Sequence, residues 1–121
     1  MDWEFTGDRP IWQQIIDQLT LRILKGEYAP GERLPGVREL AAQAGVNPNT
    51  MQRAMAQLEA DGLATGSRTS GRTVTRDAAV IEAAAKARAR AAVLQCLRIL
   101  GELGYTPEDA YVFIKEELNH E

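Results

Sequence analysis

The sequence predicts a mainly α-helical chain with one small β-hairpin. An N-terminal domain spans residues 1–76 and a two-helix C-terminal segment spans residues 77–121. Three observations carry this. Apolar residues recur at helical spacing in three stretches before residue 62. A Thr-, Ser- and Gly-containing stretch, poor in helix formers, follows at 63–75. An alanine-rich run then fills residues 78–103.

The first helix is expected over Pro10–Lys25. Pro10 suits a first turn, where its missing N–H costs nothing. Ile11, Ile15, Leu19 and Ile23 step by four, with Ile16 and Leu24 alongside, and Gly26 stops the helix. Residues 26–35 hold two glycines and two prolines, which read as a loop, with a very short strand at Arg33-Leu34. A short second helix over Gly36–Ala44 buries Val37, Leu40, Ala41 and Ala44. Gly45 permits a tight turn, Asn47 caps and Pro48 opens a third helix that runs to Asp61. Leu63–Thr65 and Thr73–Thr75 then read as two short strands around a polar, basic turn. Helix, helix, tight turn, helix, hairpin is the order of a winged helix-turn-helix.

Within the alanine-rich helix, Val80, Ala84, Ala87, Ala91 and Leu94 form a seam suited to close helix pairing. Val93, Leu97 and Leu100 form a second stripe. Gly104 breaks the helix, and Thr106-Pro107-Glu108-Asp109 starts another, with Ala110, Phe113, Ile114 and Leu118 on its apolar side. The expected domain junction is Arg76-Asp77-Ala78.

The charge is unevenly spread. Residues 1–76 carry nine acids and nine bases; residues 77–121 carry eight acids and five bases, so the net −3 lies wholly in the tail. Arg38, Arg53, Arg68, Arg72 and Arg76 give the later part of the first domain a local basic character, which suffices to meet phosphates. The N-terminus is acidic and aromatic, unlike a signal peptide, and no apolar run is long enough to span a bilayer. The single Cys96 excludes an intramolecular disulfide. These features suit the cytoplasm and call for no membrane.

With Met51, Met55 and Leu58 turned inward, Asn49, Gln52, Arg53 and Ala56 face outward on the third helix. Asn and Gln bond bidentately to adenine and Arg to guanine, and these residues lie in the first two turns, the part that reaches base edges. Arg38 opens the second helix beside them, and Thr50, Arg68, Thr69 and Arg72 are candidates for phosphate and minor-groove contacts. The plainer alternatives are a solvated surface role for Arg38, Arg53 and Gln52, and a merely soluble turn for the wing arginines.

These residues resemble the GntR family of regulators. The resemblance is carried by Pro10–Ile16, Gly26–Pro35 and Val37–Ala41, with Gly45–Ala54 similar to the YtrA branch and Leu58–Leu63 closing the helix as that family does. It covers residues 9–75. It implies a winged-helix repressor binding double-stranded DNA as a homodimer on a palindromic operator, with contacts from Arg38, Pro48, Asn49, Thr50 and Gln52 and a wing tip at the minor groove. The tail also resembles that branch, whose two C-terminal helices serve dimerisation and whose members often control transport operons. Three departures stand out: Gly36 where a serine is usual, a wing with one glycine and one basic residue fewer, and no aromatic before Val74.

An enzyme is the weakest alternative. His120 lies next to the C-terminus, Cys96 has no His partner, and neither metal-ligand spacing nor a phosphate-binding glycine loop appears, so no catalytic residue, metal or cofactor is assigned. A protein-interaction adaptor is the second alternative, disfavoured by the intact face of Asn49, Gln52 and Arg53. A small effector between subunits, near Tyr105, Tyr111 and Phe113, stays open, with core packing as the plainer role for these rings.

Overall fold

The computed structural model describes residues 2–67 and 71–120. It contains α1 (Ile11–Leu24), α2 (Val37–Ala44), α3 (Pro48–Ala60), β1 (Ala64–Ser67), β2 (Gly71–Val74), α4 (Ala78–Glu102) and α5 (Pro107–Leu118). The fold is therefore mainly helical with one hairpin, as expected, and the chain divides into two compact units, Met1–Glu82 and Ala83–Glu121.

The core of the first unit is built around α3, which packs against α1, α2 and β1. Ile15 and Leu19 from α1, Leu40 from α2, and Met51, Ala54, Met55 and Leu58 from α3 are fully buried. Burying one such large aliphatic side chain contributes about 1.5–3 kcal/mol. Three short helices thus hold one another where none would persist alone.

The turn between α2 and α3 follows from its residues. Gly45 is left-handed at φ +71, and the N–H of Val46 donates to the Ala41 carbonyl at 3.0 Å, the bond pattern of a Schellman stop. Asn47 is extended, and its side-chain oxygen accepts from the Asn49 N–H at 2.7 Å. Pro48 then occupies the first turn of α3. Pro10 behaves differently from expectation: with ψ 139 it caps α1 from outside the helix, and Ile11 is the first helical residue.

The hairpin is antiparallel, with Ala64 opposite Val74, Thr65 opposite Thr73, Gly66 opposite Arg72 and Ser67 opposite Gly71. Each strand lies nearer the turn than expected, because pairing continues through Gly66, Ser67, Gly71 and Arg72. Its outer edge is covered. Gly31 donates to Val74, Val74 to Glu32 and Leu34 to Arg72, each at 2.9 Å, and Arg33 bridges Thr73. The short strand expected at Arg33-Leu34 is this edge segment. Covering an edge removes unpaired backbone groups that invite unwanted pairing.

The N-terminal residues are strapped along α1. The Gln14 amide donates to the carbonyls of Thr6 and Arg9 at 2.9 and 2.8 Å. Trp3 stacks on Phe5, and the Arg22 guanidinium lies 4.1 Å from the Trp3 ring centroid. Arg9 pairs with Asp17. The Thr6 hydroxyl, donating to Asp8, holds that carboxyl below its ordinary range.

In the second unit, α5 begins with a full capping box: Thr106 and Asp109 each accept the other's backbone N–H, at 3.1 and 2.9 Å. Tyr105 meets Phe113 edge-on, with ring centroids 5.0 Å apart. Among the described residues of this unit only Ala110 is buried. No helix of the described residues is long and apolar enough to cross a membrane.

Candidate nucleic-acid interface

The segment leading into α2, the later half of α3 and the turn end of the hairpin line one cleft of the first unit. The inward face of α3 consumes its apolar side chains, so Pro48, Asn49, Gln52, Arg53 and Ala56 are left exposed. Thr50 is half-buried at the turn. Arg38 is exposed in the first turn of α2 and has no ion-pair partner among the described residues. The outward face expected of α3 is therefore exposed, and so is Arg38 on the neighbouring helix.

Two arginines are held by partners that sequence spacing does not reveal. The Arg53 guanidinium lies 4.0 Å from the ring centroid of Trp12 on α1. A cation over an indole face gains about 0.5–1 kcal/mol at an exposed site, and stacking leaves the in-plane N–H donors free. The aromatic ring thus fixes the side chain without consuming its hydrogen bonds. Arg72 is paired with Glu59, and its side chain is only 19% exposed. Arg68 and Thr69 lie outside the described residues.

Gly66 makes this ion pair feasible. A Cβ there would sit 2.8 Å from the Glu59 carboxylate oxygen, so any larger residue would force that carboxylate to shift from its place against the opposite strand. The signal available in the sequence was a glycine directly across from Arg72, legible only once the register is known. A further residue escaped the sequence reading as a side chain: Arg33 is exposed, with its guanidinium beside Gly71.

A cleft of about 250 Å³ lies between Arg33, Gly36, Met55, Glu59 and Arg72. Gly36 precedes α2 without a side-chain cap, so the first-turn N–H groups stay available. A helix N-terminus with cations around it favours an anion.

The residues expected to pair copies fall in two groups. Val80 belongs to the first unit, where its Cγ1 lies 3.6 Å from the place a Cβ on Gly62 would take. Ala87, Ala91, Leu94, Phe113 and Ile114 are exposed; Ala84, Leu97 and Leu100 are half-buried. Leu94 is 67% exposed and Ile114 50%, a heavy exposure for aliphatic side chains.

Three helices, the second and third joined by a left-handed turn and the third polar-faced, followed by a paired hairpin make this a winged-helix protein of the DNA-binding class. The chain belongs to the GntR family of bacterial regulatory proteins, whose family model matches residues 11–74. It is 35% identical to the HTH-type transcriptional regulator YhcF of Bacillus subtilis over 95% of each chain. It is 42% identical to the HTH-type transcriptional repressor YtrA of the same organism, over 57% of this chain and 53% of that one. Among solved structures, a GntR family transcriptional regulator from Listeria monocytogenes superposes with a TM-score of 0.83 at 32% identity, covering 93% of this chain and 98% of that one. The AraR DNA-binding domain in complex with operator ORX1 superposes with a TM-score of 0.56 at 26% identity, over 62% of this chain and 99% of that one. The family is one of DNA-binding transcription regulators, not of enzymes.

Proposed function

We propose that this chain is a cytoplasmic repressor that binds a palindromic operator as a homodimer. Residues 1–76 read the DNA and residues 77–121 join the two copies. The observation that carries the reading is the exposed face of α3, where Asn49, Gln52 and Arg53 stand together in the first two turns. Each copy inserts these residues in a major groove, with Pro48 at the helix start. Arg38, Thr50, Arg68, Thr69 and Arg72 hold the backbone. The relative named a repressor supports the direction of regulation. A transport operon is the proposed target, on the resemblance to the YtrA branch alone.

The dimer rests on physical need. A helix of 12 residues such as α5 is marginal in water without a packing partner. Its Tyr111, Val112, Ile114 and Leu118 are each at least 50% exposed, as are Val93 and Leu94 of α4. A second copy offers the same apolar faces in a closed two-fold arrangement. Pairing sets two recognition helices about one DNA turn, near 34 Å, apart.

The test is fluorescence anisotropy with the protein's own upstream DNA against scrambled DNA across a salt series. We expect a preference of about a thousandfold, with affinity falling steeply as salt rises. Equal, weak binding to both sequences contradicts a specific regulator of this promoter.

A further inference from the structure

We propose that the cleft between the start of α2 and the hairpin seats one phosphodiester of the DNA backbone, with Arg33 as its principal ligand. This rests on the DNA-binding reading above and adds a contact that the outward face of α3 does not supply.

The cleft walls are charged side chains held in fixed places. Gly66 and Gly71, both at the turn end of the hairpin's paired segment, lack Cβ atoms that would crowd them. A Cβ on Gly66 would meet the Glu59 carboxylate at 2.8 Å, and one on Gly71 would meet the Arg33 Nε at 3.3 Å. Arg33 is also fixed at its backbone by the bridge to Thr73.

The charges then select an anion. Glu59 is spent on Arg72. Arg33 has no carboxylate within ion-pair reach among the described residues and is exposed to solvent. Two guanidinium groups against one carboxylate leave the cleft one positive charge in excess, which matches a phosphodiester. Gly36 adds the uncapped N-terminus of α2 to the same wall, where no side chain occupies those N–H groups. The volume of about 250 Å³ exceeds what a phosphate group needs and leaves room for the adjoining sugar. Glu59 is a positioning residue here: it holds the Arg72 guanidinium at the wall and does not itself meet the DNA.

The experiment compares wild type and Arg33→Ala in the full chain, by anisotropy on upstream and scrambled duplexes between low and high salt. Each dimer carries two such clefts, so loss of both phosphate contacts makes the slope of log affinity against log salt shallower by about 1.8, which is about sixtyfold weaker binding at 0.1 M salt. The loss falls equally on both DNA sequences, because a phosphate carries no sequence information. An upstream duplex with a neutral methylphosphonate at the contacted position of each half-site weakens wild type by the same factor and Arg33→Ala no further. Circular dichroism melting checks that the exposed substitution leaves the fold intact. Glu59→Gln separates positioning from simple repulsion: affinity falls if the carboxylate holds Arg72, and rises if it only repels DNA.

An unchanged salt slope in Arg33→Ala overturns the cleft as a phosphate seat, and a rise in affinity for Glu59→Gln overturns the positioning role. Absence of any wild-type preference for upstream DNA is a different failure, since it removes the reading on which the cleft depends.

Discussion

Leu58 and Leu118 stand near the ends of helices of 13 and 12 residues, yet Leu58 is fully buried and Leu118 is 78% exposed. The first unit closes its own core: α3 meets α1, α2 and the hairpin, and every large apolar side chain on its inner face is covered. The second unit covers Ala110 alone among its described residues. Its helices are locally well specified, with strong helix formers along α4 and a complete capping box at α5. Local specification without burial cannot stabilise a folded unit, because apolar burial supplies the main favourable term. The difference gives the proposed reading surface a self-sufficient scaffold, and it leaves apolar faces on the tail that the proposed second copy would cover.

This contrast can be broken most sharply in the core. Leu58→Ala should cost about 2–5 kcal/mol by chemical denaturation, the range for a large-to-small change at a fully buried site. Leu118→Ala should cost much less at concentrations too low for copies to pair; equal losses there would mean that the two helices are supported alike. Next in size is the pairing seam. Ala91→Glu introduces a charge at the middle of α4 and should convert a dimer to monomers in sedimentation experiments. An unchanged dimer would move the interface elsewhere.

Smaller effects sharpen the reading surface. Arg38→Ala and Arg53→Ala should each lower operator affinity by more than tenfold, from about 1–3 kcal/mol per good contact. Wild-type affinity in both would remove the assignment. Trp12→Ala should lower affinity by less than Arg53→Ala does, since it removes only the support under the guanidinium. A Trp12 variant with full affinity would make that stack incidental. Smallest is Asn47→Ala, which removes one cap from α3 and should destabilise the fold by about 1 kcal/mol in thermal melts.

Much of the architecture was readable from local signals. Asn47-Pro48 marked the start of α3 and Thr106-Pro107 that of α5, because caps and first-turn prolines act within a few residues. The outward set of Asn49, Gln52, Arg53 and Ala56 followed from helical period alone. What escaped depends on contacts between distant positions. Trp12 beneath Arg53 joins α1 to α3, and Glu59 pairs with Arg72 across a strand position where register sets a glycine. The N-terminal strap was equally invisible: its hold comes from Gln14 amide bonds to main-chain carbonyls, and any sequence offers such acceptors. Val80 reads as part of the pairing seam by spacing, and its proximity to Gly62 within the first unit was not legible from that spacing.

The measurement that most directly tests the central claim is sedimentation equilibrium of the full chain at micromolar concentration. The account predicts a single species of twice 13.3 kDa, the tails having covered each other's apolar faces. A stable monomer of 13.3 kDa would contradict it, because the exposed faces of α4 and α5 would then need no second copy.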